Sequence, residues 1–309
     1  MERSNPTAQA DGPDWLNAVL YDAGVASVAS VEALPERNTL PDATRKFLGY
    51  DHANRVTGFL LLSAEVAPDM VARAVARARD VRKSLPAELR GPVMLPLHAG
   101  YAGSRSYALF PIRKEMRNGR LSRRMDLWRY GRPVLDWLAD AVRATCRPAA
   151  DESLAEAFER PLCALEDDDW LPADMRRCAA ETTTEMQSGR WNPRLAMMHN
   201  DFWWGNVLQA PPDFSGGFGF QIIDWAGSTP RGYPVYDLMR MAESQRLSVT
   251  ALRQRLSQHA AVLQCDPVQL RNYLCVALGY LRMNLEQFPH ERYARMADSI
   301  WQRLNAALQ

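Results

Sequence analysis

The chain has 309 residues, 47% of them hydrophobic and 24% charged, which is the balance of an ordinary folded protein and excludes a disordered, collagenous or coiled-coil chain. Lys and Arg number 37 against 36 Asp and Glu, a net charge of +1, so no global field draws the protein to nucleic acid or to an anionic membrane. The length is enough for one large domain or two lobes with real cores.

The stretch MERSNPTAQADGPDW at the start is polar and has no apolar run of the signal-peptide kind. Residues 1–23 read as an amino-terminal extension. From about 24 to 112 the pattern favours a strand-rich lobe. Segments at Ala26–Leu34, Thr44–Tyr50, Val56–Val66, Val93–Leu97 and Ser106–Ile112 are separated by Pro, Asn, Asp and Gly clusters. One helix interrupts them over Asp69–Lys83, with Met70, Val71, Ala74, Val75 and Ala78 at three- and four-residue spacing.

Residues 113–309 read as a mainly helical lobe. Gly131–Thr145 places Val134, Leu135, Leu138 and Val142 on one face, and Leu171–Glu185 forms a second helix. Ser248 caps a helix carrying Leu252, Leu256 and Val262. Asp266-Pro267 starts another through Leu274, Leu278 and Leu281, and a last one spans about Glu291–Leu308. Between Met197 and Trp225 two apolar runs flank the Gly-rich turn Ser215–Gly219, a hairpin inside the helical part. The longest apolar runs, such as Phe59–Leu62, are far short of a membrane span, which points away from membrane insertion. Five cysteines (Cys146, Cys163, Cys178, Cys265, Cys275), odd in number and without CxxC spacing, read as reduced thiols of a cytoplasmic protein.

Polar residues bracket the hairpin: Met198-His-Asn-Asp-Phe-Trp-Trp-Gly-Asn206 before it and Ile222-Ile-Asp-Trp225 after it. The hairpin thus gathers Asp201, Asn206 and Asp224. Such oxygen ligands suit Mg²⁺, which takes its other ligands from water and nucleotide phosphates. If Asn206 and Asp224 hold the metal, Asp201 is left to orient a hydroxyl and accept its proton.

The ordered set His199-x-Asp201-x-x-x-x-Asn206, hairpin, Ile-Asp224-Trp225, then Tyr236-Asp237-Leu238 resembles the catalytic core of the aminoglycoside phosphotransferase/choline kinase family, the small-molecule branch of the protein-kinase-like fold. The likeness is specific over about 195–240, and the order of elements fits from about 24 to 309. It implies an α+β, two-lobed fold with a small β-rich amino-terminal lobe and a larger, mainly helical carboxy-terminal lobe. It further implies an ATP-dependent phosphotransferase acting on a hydroxyl of a small molecule or saccharide, with GTP open as the alternative nucleotide. Asp201 would be the base and Asn206 and Asp224 the Mg²⁺ ligands. His199 and Asp237 would brace the catalytic loop. Leu109, Phe110 and Ile112 would belong to a hinge whose backbone reads adenine.

The sequence departs from that family in its amino-terminal part. The third strand, Thr57–Glu65, has no lysine and the helix after it has no Glu, although the family pairs such residues on the nucleotide phosphates. Where a Gly-rich loop is expected the chain reads Val25-Ala-Ser-Val-Ala-Ser-Val, with Gly24 at its edge. Lys46, on the preceding strand, is the candidate replacement; the alternative is that it is a solvated edge-strand charge. These departures leave a nucleotide-binding pseudokinase or scaffold as a second reading.

Only twelve residues separate Asp224 from Asp237, too few for a polypeptide-docking segment, and Trp203 stands two residues after Asp201, placed to stack on a sugar or hold a quaternary amine. Arg113–Arg132 holds eight basic residues against Glu115 and Asp126 and reads either as a site for an anionic acceptor or as a solvated face. Glu166–Asp169 reads either as a site for a choline-like amine or a cationic aminoglycoside, the latter making the protein an aminoglycoside-modifying kinase, or as a helix cap and dipole partner.

Overall fold

The computed structural model describes residues 16–17, 20–21, 25, 28–35, 44–117, 119–149, 154–285 and 288–309. Most of the 1–23 extension, Gly24, and Ala26 and Ser27 of the expected Gly-loop region lie outside the described residues. The chain forms two compact units, 1–79 with 94–114 and 80–93 with 115–309.

The first unit is a five-stranded antiparallel sheet, with β1 (Ser30–Ala33), β2 (Arg45–Tyr50), β3 (Val56–Leu62), β4 (His98–Ala102) and β5 (Arg105–Pro111) in the order β1-β2-β3-β5-β4. Helix α1 (Met70–Ser84) follows β3. Strand alternation divides the side chains between two faces. Phe47, Leu60, Leu62, Tyr107 and Leu109 join Leu16, Leu20 and Val25 in one core. Leu61 and Phe110 pack on the other face with Ala108 and with Val71 and Val75 of α1. Strand β3 ends at Leu62, short of the expected Val66: Ser63 N–H still donates to the Ser106 carbonyl at 2.9 Å, and the chain then turns into α1. The Ser63 hydroxyl accepts from the Val71 backbone N–H at 2.9 Å, and Ser106 Oγ accepts from that of Ala72 at 3.1 Å, so two serines, one just past β3 and one in β5, satisfy the open end of α1.

The expected strand Val93–Leu97 is a correction: the strand lies at His98–Ala102 instead, paired with β5. Pro92 and Pro96 bracket the apolar run, and neither offers a backbone N–H to a ladder.

The second unit contains α2 (Arg120–Asp126), α3 (Arg132–Thr145), α4 (Arg160–Glu166), α5 (Ala173–Gln187), β6 (Arg194–Met198), β7 (Val207–Gln209), β8 (Phe220–Ile222), β9 (Thr229–Gly232), α6 (Tyr236–Gln245), α7 (Val249–Leu263), α8 (Leu270–Met283) and α9 (His290–Leu308). A π-helical turn, Leu127–Gly131, joins α2 to α3. Strands β7 and β8 are the expected hairpin, and Gly216, Gly217 and Gly219 in its connection have positive φ, which glycine adopts without a Cβ clash. Ser248 caps α7 by accepting from Ala251 N–H, and Asp266 and Gln269 form a capping box ahead of α8. No described helix is long and apolar enough to cross a membrane, and all five cysteines are free.

Candidate active site

The site is built on the loop that leaves β6. Asp237, in the first turn of α6, is buried, and its two oxygens accept from the backbone N–H groups of His199 (2.5 Å) and Asn200 (3.0 Å). The paired N–H groups hold the loop as it turns, with Asn200 at φ +74°. Burial pushes the Asp237 carboxyl up to about 7, opposed by those backbone bonds.

His199 ties the loop to the hairpin. Its Nε2 lies 2.9 Å from the Ile223 carbonyl, so that nitrogen carries the proton and donates, and Nδ1 accepts from the Asp201 backbone N–H at 3.3 Å. The ring packs against Trp225, 4.4 Å between centroids, and burial lowers its pKa to about 4. A neutral imidazole satisfies both partners. A second proton would set an N–H against an N–H.

Asn206 closes the loop. Its Nδ2 donates to the Asp201 carbonyl (2.9 Å) and to Asp201 Oδ2 (3.2 Å), while its own backbone carbonyl accepts from Ile223 N–H (3.0 Å). The residue before Asp224 is thus bonded to Asn206. Asp224 is exposed and adopts the left-handed conformation, φ +64°. Asp201, Asn206 and the Ile223-Asp224 turn are therefore brought together, with His199 and Asp237 beneath them. With Nδ2 given to Asp201, the amide oxygen of Asn206 is left for a hard cation. That oxygen and the exposed Asp224 carboxylate are a donor set that fits Mg²⁺ completed by water and phosphate oxygens. No group of three or more His, Cys, Asp or Glu side chains placed to hold a metal occurs among the described residues.

Trp203 is 41% exposed and its ring lies over Gly205, where any Cβ would fall 2.3 Å from it. Trp204 is buried and donates its backbone N–H to Ser244 Oγ. A cavity of about 500 Å³ beside them is lined by Trp203, Trp204, Arg123, Glu243 and Arg246, among others.

Arg240, one helical turn after Asp237, was not singled out from the sequence. Its Nη2 stands 3.6 Å from Asp201 Oδ1 and its Nη1 3.2 Å from Glu243 Oε2, with the side chain 21% exposed. The signal was the i, i+3 spacing from Asp237, which places both residues on one face of α6.

In the first unit, Lys46 is exposed on β2 in register with Leu61, on the sheet face that α1 covers, while Arg45 is in register with Leu62 on the opposite face. Leu109 is buried in the core and its carbonyl accepts from Leu97 N–H at 2.7 Å. Phe110 packs toward α1, and Ile112, past the end of β5, is 40% exposed.

The two charged stretches of the sequence separate. In the acidic one, Asp168 is buried, with Oδ2 2.6 Å from both Arg282 Nε and His290 Nε2. Burial acts to raise its pKa, but the bonds from His290, Trp170 and Arg282 outweigh this and leave it lowered. Asp169 pairs with Arg176. The buried carboxylate is neutralised within the fold, which takes it from the set of groups offered to a cationic ligand. In the basic one, Arg117 binds the buried Asp126 and Arg123 donates to the Ser244 carbonyl.

No protein-family model matches the sequence, and no curated protein matches it. Solved structures do match. Choline kinase LicA from Streptococcus pneumoniae aligns with a TM-score of 0.50 and 11% identity, covering 96% of this chain and 99% of that one. The spectinomycin phosphotransferase APH(9)-Ia, in complex with ADP and spectinomycin, aligns with a TM-score of 0.50 and 10% identity over 97% of this chain and 98% of its own. The chain has the protein-kinase-like fold of these small-molecule kinases, with its small antiparallel sheet unit and its helical unit.

Proposed function

We propose that the protein is an ATP-dependent phosphotransferase that moves the γ-phosphoryl group to a hydroxyl of a small molecule or saccharide. The observation that carries the reading is the support of Asp201: backbone bonds to Asp237 and His199 fix its loop, Asn206 holds its carbonyl and carboxylate, and the side chain is still half exposed. A carboxylate held that way is fit to accept the proton of an acceptor hydroxyl as the oxygen attacks phosphorus. Asn206 and Asp224 would hold Mg²⁺, which when bound offsets charge on the phosphates. Lys46 is assigned to the nucleotide phosphates, the backbone at Phe110 and Ile112 to the adenine edge, and Trp203 to the acceptor; the Leu109 carbonyl, spent on Leu97 N–H, leaves that set. GTP is the alternative nucleotide. The five free cysteines fit a cytoplasmic setting.

The second reading, a nucleotide-binding pseudokinase, is favoured by one observation: β3 carries no lysine and α1 no Glu. Thermal unfolding with ATP, GTP and ADP, with and without Mg²⁺, separates the two. A ligand that binds only the folded state raises Tm. A Mg²⁺-dependent rise that is lost in Asp224→Ala, with phosphoryl transfer abolished and nucleotide binding kept in Asp201→Asn, is the outcome expected of the enzyme. Nucleotide binding with no transfer to any of a panel of polyols, amino sugars and amino alcohols would favour the pseudokinase.

A further inference from the structure

We propose that residues 120–132 form a docking surface for anionic lipid headgroups, which holds the second unit on a membrane surface without crossing it. The inference does not depend on the kinase reading. In most surface helices the apolar stripe is buried and the polar face is wet. Here the arrangement is inverted. Leu121, Met125 and Trp128, spaced by four and three residues on one face, are 77%, 59% and 88% exposed. The opposite face is the buried one, and it carries Asp126, matched by the Arg117 backbone N–H and guanidinium, and Tyr130.

Guanidinium groups border the exposed stripe. By helical geometry Arg120 and Arg124 lie on one side of it and Arg129, over the Tyr130 ring, on the other, all exposed; Arg132, on the next turn, is exposed and pairs with Asp136. Aliphatic and indole side chains ringed by arginines are the chemistry of an interfacial helix. The apolar stripe sits at the headgroup–acyl boundary while the arginines extend their charged ends to phosphate. Trp is suited to that boundary by its apolar body and polar N–H.

Other occupants fit less well. A symmetric contact between two copies would set the same arginines against each other. A protein partner would need a carboxylate matched to each arginine, whereas a headgroup layer offers anions at any spacing. The net charge of +1 hides this field, because residues 120–132 hold five arginines against one aspartate while the rest of the chain holds 32 basic and 35 acidic residues.

The test is co-sedimentation of the full chain with vesicles of phosphatidylcholine, and of phosphatidylcholine with phosphatidylglycerol at about 3:1, at low salt and at about 0.3 M salt. Wild type should bind the anionic vesicles, release with salt, and bind phosphatidylcholine weakly. Arg120→Glu/Arg124→Glu/Arg129→Glu and Leu121→Ser/Met125→Ser/Trp128→Ser should each lower partitioning at least about tenfold. Both variants change exposed side chains, and an unchanged Tm shows that they fold. Wild type left in solution with anionic vesicles, or binding unaffected in either variant, overturns the proposal. Binding to soluble polyanions but not to vesicles overturns it in favour of an acidic macromolecule, and a dimer lost in the apolar variant overturns it in favour of self-association.

Discussion

Arg240 stands between two carboxylates, Asp201 and Glu243, and Glu243 is held in turn by Ser299 Oγ at 2.5 Å. This fixes where the Asp201 carboxylate points. Arg240→Ala frees it to rotate, and a misplacement of about 1 Å in a reacting group costs on the order of 10²-fold in rate. The expected outcome is a fall in kcat of that size with the nucleotide KM unchanged, measured with a saturating acceptor. Arg240→Lys keeps the charge but not the two-pronged geometry, so it should recover only part of the loss. An equal rise in nucleotide KM would show that Arg240 acts on the nucleotide and not on Asp201, the proposed base. This residue illustrates what the sequence could not say. Asp201, Asn206 and Asp224 are legible because short motifs and one hairpin gather them. Arg240 reaches Asp201 across 39 positions of chain, and only its turn of α6 places it there.

At the scale of elements, legibility follows the range of the interaction that ends each one. The caps Ser248 and Asp266 lie beside the backbone groups they satisfy, so the starts of α7 and of the turn into α8 can be read locally. The start of α1 is satisfied by Ser63 and Ser106, the second of them 34 residues from its partner, a contact no window of sequence reveals. The pairing of α8 with α4 is another long-range feature. Leu270, Tyr273, Leu274, Cys275, Val276, Ala277 and Leu278 of α8 are all buried, and Gly279 follows them. A Cβ at Gly279 would fall 1.8 Å from the Pro161 carbonyl oxygen, a backbone atom that cannot rotate away. Gly279→Ala therefore forces α4 and α8 apart. The cost should be about 3 kcal/mol, the upper end for overpacking a core, and the gain in helix propensity of about 1 kcal/mol offsets only part of it. Urea unfolding should show a lower midpoint at unchanged slope. A neutral or stabilised variant would mean that the helices do not approach this closely.

At the scale of the molecule, stability follows the protons that the folded and unfolded chains hold. His199 and His259 are buried and lowered to about 4, and Asp237 is buried and raised to about 7. The histidines contribute stability that is present above their unfolded value of about 6.5 and lost as pH falls toward 4. Asp237 contributes stability that is present below about 4 and lost as pH rises through about 7. Over the window they share, the unfolded chain binds two protons that the fold refuses, and the fold keeps one that the unfolded chain releases. The net is one proton, so stability from these groups should rise with pH by about 1.4 kcal/mol per unit between about pH 4 and 6.5. His259 isolates the effect because it lies on α7, outside the loop that carries Asp201. Its Nδ1 donates to the Arg255 carbonyl, and its Nε2 is buried with no hydrogen-bond partner among the described residues. His259→Leu removes one of the two refused protons and should flatten the slope. Relative to wild type it should gain about 2 kcal/mol on going from about pH 8 to pH 5, the work of 1.5 units of a titration the leucine does not make. Urea unfolding of both proteins at the two pH values measures it. An equal difference at both pH values would show that the imidazole takes up its proton in the fold as readily as in the unfolded chain, and that acid sensitivity in this protein arises elsewhere.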